Sequence, residues 1–357
     1  MDDDNLAAGD QSRVIAFVLI PRFNMMSLTT TIEPMRIANY LAPENLYQWT
    51  YLASDKSEII ASNGMSMACE QLGTNPPKKY DMIFVFGSWG AETYVQSDLL
   101  GWLRKEERRG VPICGMEMGA YILARAGLLG DRSVTTHWSC MAGFAEQFPN
   151  VVLCEQLFTW DRNLLSCAGG SAGADLMLEI IGRQHGKYLA SEVAEQMMHY
   201  PIRRGDAAQR HTFSSVDKAV HPDVEAVIKL IEANFTEPYS VPELARQVGI
   251  SHRQLDRLFK RHMGCTVVQF SQLLRLQFAR VLLTTTRMSV REVSAASGFN
   301  SLSYFSHAFV KCFDKKPSEY RQAWPEREPL PSWPGTVFSL TYSSQLEEKW
   351  KKQSKST

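Results

Sequence analysis

Gly115-Met-Glu-Met-Gly119 follows a short apolar run (111–114) and precedes a helical stretch (120–126). Paired glycines at a strand-to-helix turn permit an elbow that holds its central residue in a strained conformation at the end of a strand, as nucleophile elbows do. The central residue here is Glu117, and a carboxylate is a poorer nucleophile than a thiolate. It is, however, a good partner for a cation. His137 lies 137 − 117 = 20 positions on, within Thr135-Thr-His-Trp138. A plain helix entry would also explain a Gly-x-x-x-Gly; the preceding strand and the following Gly127-Leu-Leu-Gly130 favour the elbow.

A second set of residues suits contact with DNA. Residues 290–321 read as two helices about a tight turn. Val293, Ala295 and Ala296 give the first helix a small packing face, and Gly298 supplies the left-handed turn that ends it. Asn300 or Ser301 caps the second helix. Phe305, Phe309 and Phe313 recur every four residues as one apolar stripe, leaving Ser303, His307 and Lys311 on other faces. A polar face beside a fixed core is what a recognition helix requires.

The pattern occurs again about fifty residues upstream. Pro242 stands at a helix start, Gly249 makes the turn, and Ser251 caps. Leu255, Leu258 and Phe259 face inward; Arg253, Asp256, Arg257 and Lys260 face out. Between the copies, 267–286 reads as one long helix with Phe270, Leu274, Phe278, Val281 and Leu282 inside. A simple helical bundle would fit one copy. Two copies joined by a helix argue for paired helix-turn-helix motifs, with Arg253, Asp256, Arg257, Lys260, Ser301, Ser303, His307 and Lys311 as DNA-binding candidates.

These residues need elements to position them. The 357 residues suffice for two ordinary domains. Residues 12–202 alternate apolar strand candidates (14–20, 51–53, 82–86, 111–114) with helical stretches (30–41, 99–109, 120–126). That alternation implies an α/β domain with a parallel sheet covered on both faces, whose ligands sit beyond the carboxyl ends of the strands. Residues 203–221 are polar enough to be a linker, and 222–324 form an all-α domain. That domain holds fourteen Lys/Arg and nine Asp/Glu, hence +5, leaving −5 for the rest of a formally neutral chain. A modestly basic domain fits DNA better than indiscriminate polyanion binding. Residues 1–11 are expected to be disordered and 325–357, rich in proline and then lysine, to be a flexible tail.

Seven scattered cysteines without close pairs argue against a disulfide framework or a structural metal site. No apolar run approaches the ~20 residues of a membrane span, and Met1-Asp-Asp-Asp lacks the positive start of a signal peptide. A cytoplasmic protein is expected.

Residues 222–324 resemble the DNA-binding domain of the AraC/XylS family of bacterial transcription regulators. Gly298-Phe-Asn-Ser-Leu-Ser-Tyr-Phe-Ser-His-Ala-Phe309 matches that family's Gly-Phe-x-x-x-x-Tyr-Phe-x-x-x-Phe, and Pro317-Ser-Glu-Tyr-Arg321 its closing motif. Asp314 stands where the family usually has glycine. Residues 12–200 resemble the PfpI-type branch of the class I glutamine amidotransferase superfamily, which has a flavodoxin-like fold. That group's elbow cysteine maps to Glu117, its histidine to His137, and its acidic residue to Ser27. Two of three catalytic positions are thus changed, and no catalytic residue or cofactor is expected; an active PfpI-like hydrolase or lyase fused to a DNA-binding domain is the alternative. Cys114, in the apolar strand, is expected to be buried rather than reactive.

Together the halves resemble GlxA-type regulators. Residues 23–39 and 184–190 resemble the branch controlling arginine, carnitine and betaine use, which implies an arginine-like or betaine/carnitine-like effector. The resemblance also implies activation, a homodimer and contact with RNA polymerase. The residues expected around the effector are Asn24, Ser27, Glu33, Trp89, Glu117, His137 and Trp138, the tryptophans offering aromatic faces to a cation. Core packing is the competing role for each tryptophan, and a helix-start acid beside Pro34 the competing role for Glu33.

Overall fold

The structure, a computed structural model, describes residues 12–54, 56–73, 79–209, 221–234, 238–313 and 315–322. The terminal segments 1–11 and 325–357, most of the expected linker, and Asp314 lie outside these residues. Two compact units divide at Gln209 and Arg210. Residues 203–209, expected in the linker, pack into the amino-terminal unit through Arg203 and Gln209, described below.

In chain order that unit comprises β1 (Arg13–Leu19), α1 (Met25–Leu41), β2 (Tyr47–Ala53), β3 (Glu58–Ile60), β4 (Ser66–Ala68), β5 (Glu70–Gln71) and β6 (Met82–Gly87). It continues with α2 (Ser97–Arg108), β7 (Ile113–Glu117), α3 (Gly119–Arg125), β8 (Ser133–Val134), α4 (Met141–Gln147) and β9 (Val152–Leu153). Then come β10 (Phe158–Asp161), β11 (Leu164–Cys167), α5 (Ala172–His185) and α6 (Lys187–Gln196).

The main sheet has the order β10-β11-β7-β6-β1-β2-β5. Every pairing is parallel except that of β10 with β11, as the alternating strands and helices predict for all but that edge. One face carries Ile15, Phe17, Leu19, Phe84, Phe86 and Met116 and packs against α1, α5 and α6. On the other, α3 approaches unusually closely. A Cβ at Gly115 would lie 2.9 Å from the Ala120 nitrogen, and one at Gly119 2.0 Å from the Val85 carbonyl oxygen. The two glycines are therefore needed for backbone approach. α1 begins earlier than the apolar pattern indicates because Asn24 caps it, its side chain accepting the Met26 N–H at 2.9 Å. Pro34 falls inside this helix, so Glu33 is no helix-start acid.

The carboxy-terminal unit is helical: α7 (Pro222–Ala233), α8 (Val241–Gln247), α9 (His252–Met263), α10 (Val267–Thr285), α11 (Val290–Ala296), α12 (Leu302–Phe313) and α13 (Pro317–Gln322). Capping boxes at Ser240/Glu243, Thr266/Gln269 and Ser289/Glu292 start α8, α10 and α11. Gly249 (φ 74°) and Gly298 (φ 73°) make the turns. Ser301, not Asn300, caps α12, its hydroxyl accepting the Tyr304 N–H at 3.3 Å.

On α11 the packing face is Val293 and Ser294, while Ala295 is exposed. The expected alanine face is corrected, because the cap at Ser289 sets the helical phase. On α10, Phe270, Val281 and Leu282 are buried but Leu274 and Phe278 only half so; Leu273, Leu276, Ala279 and Leu283 complete its face. The closing motif has a packing role: Tyr320 meets Phe309 and Phe313 at 5.5 and 5.8 Å, with the buried Arg280 guanidinium 5.1 Å from the Tyr320 ring.

Candidate functional site

Glu117 ends β7 with φ 55°, a left-handed conformation that costs a non-glycine residue roughly 1–3 kcal/mol. The sequence predicts this strain, and the topology gives it a location. β11, β7, β6 and β1 are adjacent and parallel, so their carboxyl ends open on one crevice. Glu117 stands at its centre, in register with Gly87 of β6.

Its carboxylate is buried and held from two sides. Ser88, just past β6, donates its hydroxyl to Oε1 at 2.9 Å. Ser27, in the first turn of α1, donates to Oε2 at 3.0 Å. Ser27 Oγ in turn accepts the Gly170 N–H at 2.7 Å, from the turn after β11. Gly169 must lack a side chain, since a Cβ there would lie 2.7 Å from that of Glu117. Below, the Thr136 hydroxyl donates to the Glu117 carbonyl at 2.7 Å. Burial pushes the Glu117 carboxyl above its ordinary range, partly offset by the hydrogen bonds from Ser88, Ser27 and Asn24.

The fold thus brings Asn24, Ser27 and Glu117 together. Trp89 follows Ser88 and is half-buried; His137 and Trp138 follow Thr136 and are also half-buried. His137 begins a short 3-10 turn, with Nδ1 2.7 Å from Ser139 Oγ, and its ring lies 5.4 Å from that of Trp138. Glu33 is not in this cluster: it pairs with Arg36 at 2.7 Å with 45% of its side chain exposed. Ser88, Thr136 and the Gly169-Gly170 turn were not singled out from the sequence, although a small polar residue or a glycine pair directly after an apolar run is the available signal.

Chemically this is a preformed acceptor with hydroxyl support. Cys114 is fully buried, and burial pushes its thiol well above the usual range. Cys140 is buried too, its thiol pushed up to about 12. Neither has the low pKa of a reactive thiolate. Among the described residues there is no cluster of side chains fit to hold a metal, and no helix is long and apolar enough to cross a membrane.

In the helical unit, α9 and α12 present a repeated surface. Leu255, Leu258 and Phe259 are buried at positions fifty before Phe305, Ala308 and Phe309, and the exposed positions repeat likewise. Arg253 thereby corresponds to Ser303 and Arg257 to His307, all four exposed. Lys260 is exposed and corresponds to Val310; Asp256 lies 3.3 Å from His252; Lys311 is half-buried. The first helix offers cations, whereas the second offers Ser303, Tyr304, His307 and Val310.

An α/β elbow domain and a duplicated helix-turn-helix in one chain define a DNA-binding transcription regulator. Residues 14–183 match the DJ-1/PfpI family and 244–323 a helix-turn-helix domain. The chain is 35% identical to the HTH-type transcriptional regulator GbdR of Pseudomonas aeruginosa, over 88% of this chain and 86% of that one. It is 37% identical to CdhR of the same species (89% and 94%), and 32% identical to GlxA of Rhizobium meliloti (89% and 99%). The chain belongs to this family of AraC-type helix-turn-helix transcriptional regulators with an amino-terminal DJ-1/PfpI domain.

Proposed function

We propose that the amino-terminal domain is a non-catalytic receptor for a small cationic or zwitterionic amine, and that its occupancy controls DNA binding by the carboxy-terminal domain. The observation that carries this reading is the Glu117 carboxylate, fixed by the elbow at the strand ends where related enzymes place a thiolate. A buried carboxylate resists ionisation without a partner, and a cationic group supplies one. In this reading the half-buried Trp89 and Trp138 offer aromatic faces to that cation, with the His137 ring beside Trp138. An arginine-like or betaine/carnitine-like effector fits this chemistry. Activation through RNA polymerase, a homodimer and a cytoplasmic location complete the proposal.

Replacing Glu117 by Gln keeps the shape and removes the charge; one serine hydroxyl still donates to the amide oxygen, and the other must turn to accept from the amide N–H. Calorimetric titration with glycine betaine, L-carnitine and L-arginine should show binding to the wild type that weakens about tenfold or more in the variant. Unchanged affinity, or turnover by the wild type that E117Q abolishes, would reject the receptor reading.

The raised Glu117 pKa sets a pH dependence. In the ligand-free protein the folded state holds this proton more tightly than the unfolded chain. Its stabilising contribution is therefore full below the ordinary carboxylate value and declines as pH rises through the folded pKa. A cation favours the ionised form, so effector affinity should increase with pH across that window, with proton release. Titrations in buffers of different ionisation enthalpy measure it; proton uptake would contradict the assignment.

On DNA, we propose that α9 and α12 enter successive major-groove segments about one helical turn (~34 Å) apart. Arg253, Arg257, Ser303 and His307 read base edges; Lys260, Ser301 and Lys311 contact the backbone; and Asp256 orients its neighbours. Arg257→Ala should cost about 1–3 kcal/mol and relax base preference in one half-site. Equal losses on selected and random duplexes would make Arg257 a phosphate contact instead.

A further inference from the structure

Gln209 is the last residue of the amino-terminal unit, and its side chain is built into the loop beside Glu117. Its Nε2, with two N–H donors to share, lies 2.8–2.9 Å from three acceptors: Thr135 Oγ1, the Thr136 carbonyl and the Gln156 carbonyl. Its Oε1 accepts the Trp138 N–H at 2.7 Å. One amide thus ties together the loop that carries Thr136, His137 and Trp138. Thr136 itself touches the Glu117 carbonyl.

The segment that delivers Gln209 is held at its other end. Asp175 on α5 is fully buried. Its Oδ1 lies 2.9 Å from His199 Nε2 and accepts the Arg203 backbone N–H at 2.8 Å. Its Oδ2 accepts from the Arg203 guanidinium at 2.5 and 3.0 Å, and that guanidinium also reaches Ser171 Oγ at 2.9 Å. Between the two anchors, Leu157 donates its N–H to the Gly205 carbonyl at 3.0 Å. Gly205 sits so close to Phe158 that a Cβ would lie 2.6 Å from the ring. Residues 199–209 are therefore a strap with two fixed ends. In the sequence, Gln209 is followed directly by the first residue of the second unit, Arg210.

We propose that Gln209 is a positioning residue that makes the effector loop and the strap of residues 199–209 one mechanical element, through which occupancy of the loop bears on DNA binding. The amide's several partners lie on one loop and the neighbouring strand entry, and shifting that loop breaks them as a set. A group held by several bonds at once switches between discrete arrangements rather than deforming smoothly. A ligand that moves the Thr135–Trp138 loop changes how Gln209 is held, and release of Gln209 loosens that loop in return, because coupling is reciprocal. The regulatory part of this inference rests on the reading of the Glu117 crevice as the effector site; the coupling of loop and strap does not.

The test uses the full chain with Gln209→Ala and Gln209→Glu. The second keeps an acceptor for the Trp138 N–H and removes the donors. Amide hydrogen exchange is followed at 135–138 and 199–209, together with affinity for a duplex selected from a random pool by the wild-type chain. Both variants should exchange about tenfold faster in both segments together. Duplex affinity should shift by about fivefold or more. Faster exchange confined to one segment, or duplex affinity unchanged in both variants, would reduce Gln209 to a local staple and overturn the proposal. Failure of the wild type to bind glycine betaine, L-carnitine and L-arginine would count against the effector reading alone, since neither the exchange nor the duplex measurement uses a ligand.

Discussion

Asp175→Ala should lower the stability of the amino-terminal unit by about 3 kcal/mol, the lower end of what breaking a buried ion pair costs. The lower end applies because Arg203, left behind, keeps 33% of its side chain in solvent and can recover water. The Asp175 side chain has no exposure, and its two oxygens satisfy His199 and both the backbone and guanidinium of Arg203. Removing it leaves a cavity and frees one end of the strap. Denaturant unfolding followed by tryptophan fluorescence would measure this. A loss under about 1 kcal/mol would mean that water replaces the carboxylate and that Gln209 alone holds the segment.

Gly119→Ala should be comparably damaging, at or above the ~3 kcal/mol that marks the upper range for overpacking. The added Cβ would sit 2.0 Å from the Val85 carbonyl oxygen, an atom of a central strand that cannot swing aside as a side chain can. α3 would have to lift from the sheet and carry Glu117 away from Ser27 and Ser88, so effector binding should be lost with the stability. Gly101→Ala is the control. Nothing lies within 4 Å of that position, and it falls within α2. There alanine should gain about 0.5–1 kcal/mol from helix preference. Equal behaviour of the two variants would show that α3 relaxes freely and that the elbow is not fixed by close approach.

The sequence by itself determined the α/β character of the amino-terminal half, the helical character of the carboxy-terminal half, and the local geometry of the elbow and of the two helix-turn-helix turns. Glycines at 115 and 119 around one polar residue encode a strained elbow wherever a strand precedes them, and Glu117 has the expected positive φ. The repeat of a turn glycine, a capping serine and an inward apolar triplet encodes two helix-turn-helix motifs, because helical periodicity alone divides the buried and exposed faces of their second helices. Such signals are local and survive without knowledge of the rest of the chain.

What surrounds the elbow was decided only by tertiary structure. Ser27 and Glu117 are ninety residues apart, and their bond exists because β1 and β7 flank β6 in the sheet. Glu33, an attractive acid on paper, pairs with Arg36 one helical turn away. Asp175 and Gln209 carry no motif: their roles come from the path of a strap without regular secondary structure, which leaves no periodicity to read. Strand order and strap path follow from how the two faces of the sheet are covered, a property of the whole buried core that no short stretch of sequence contains.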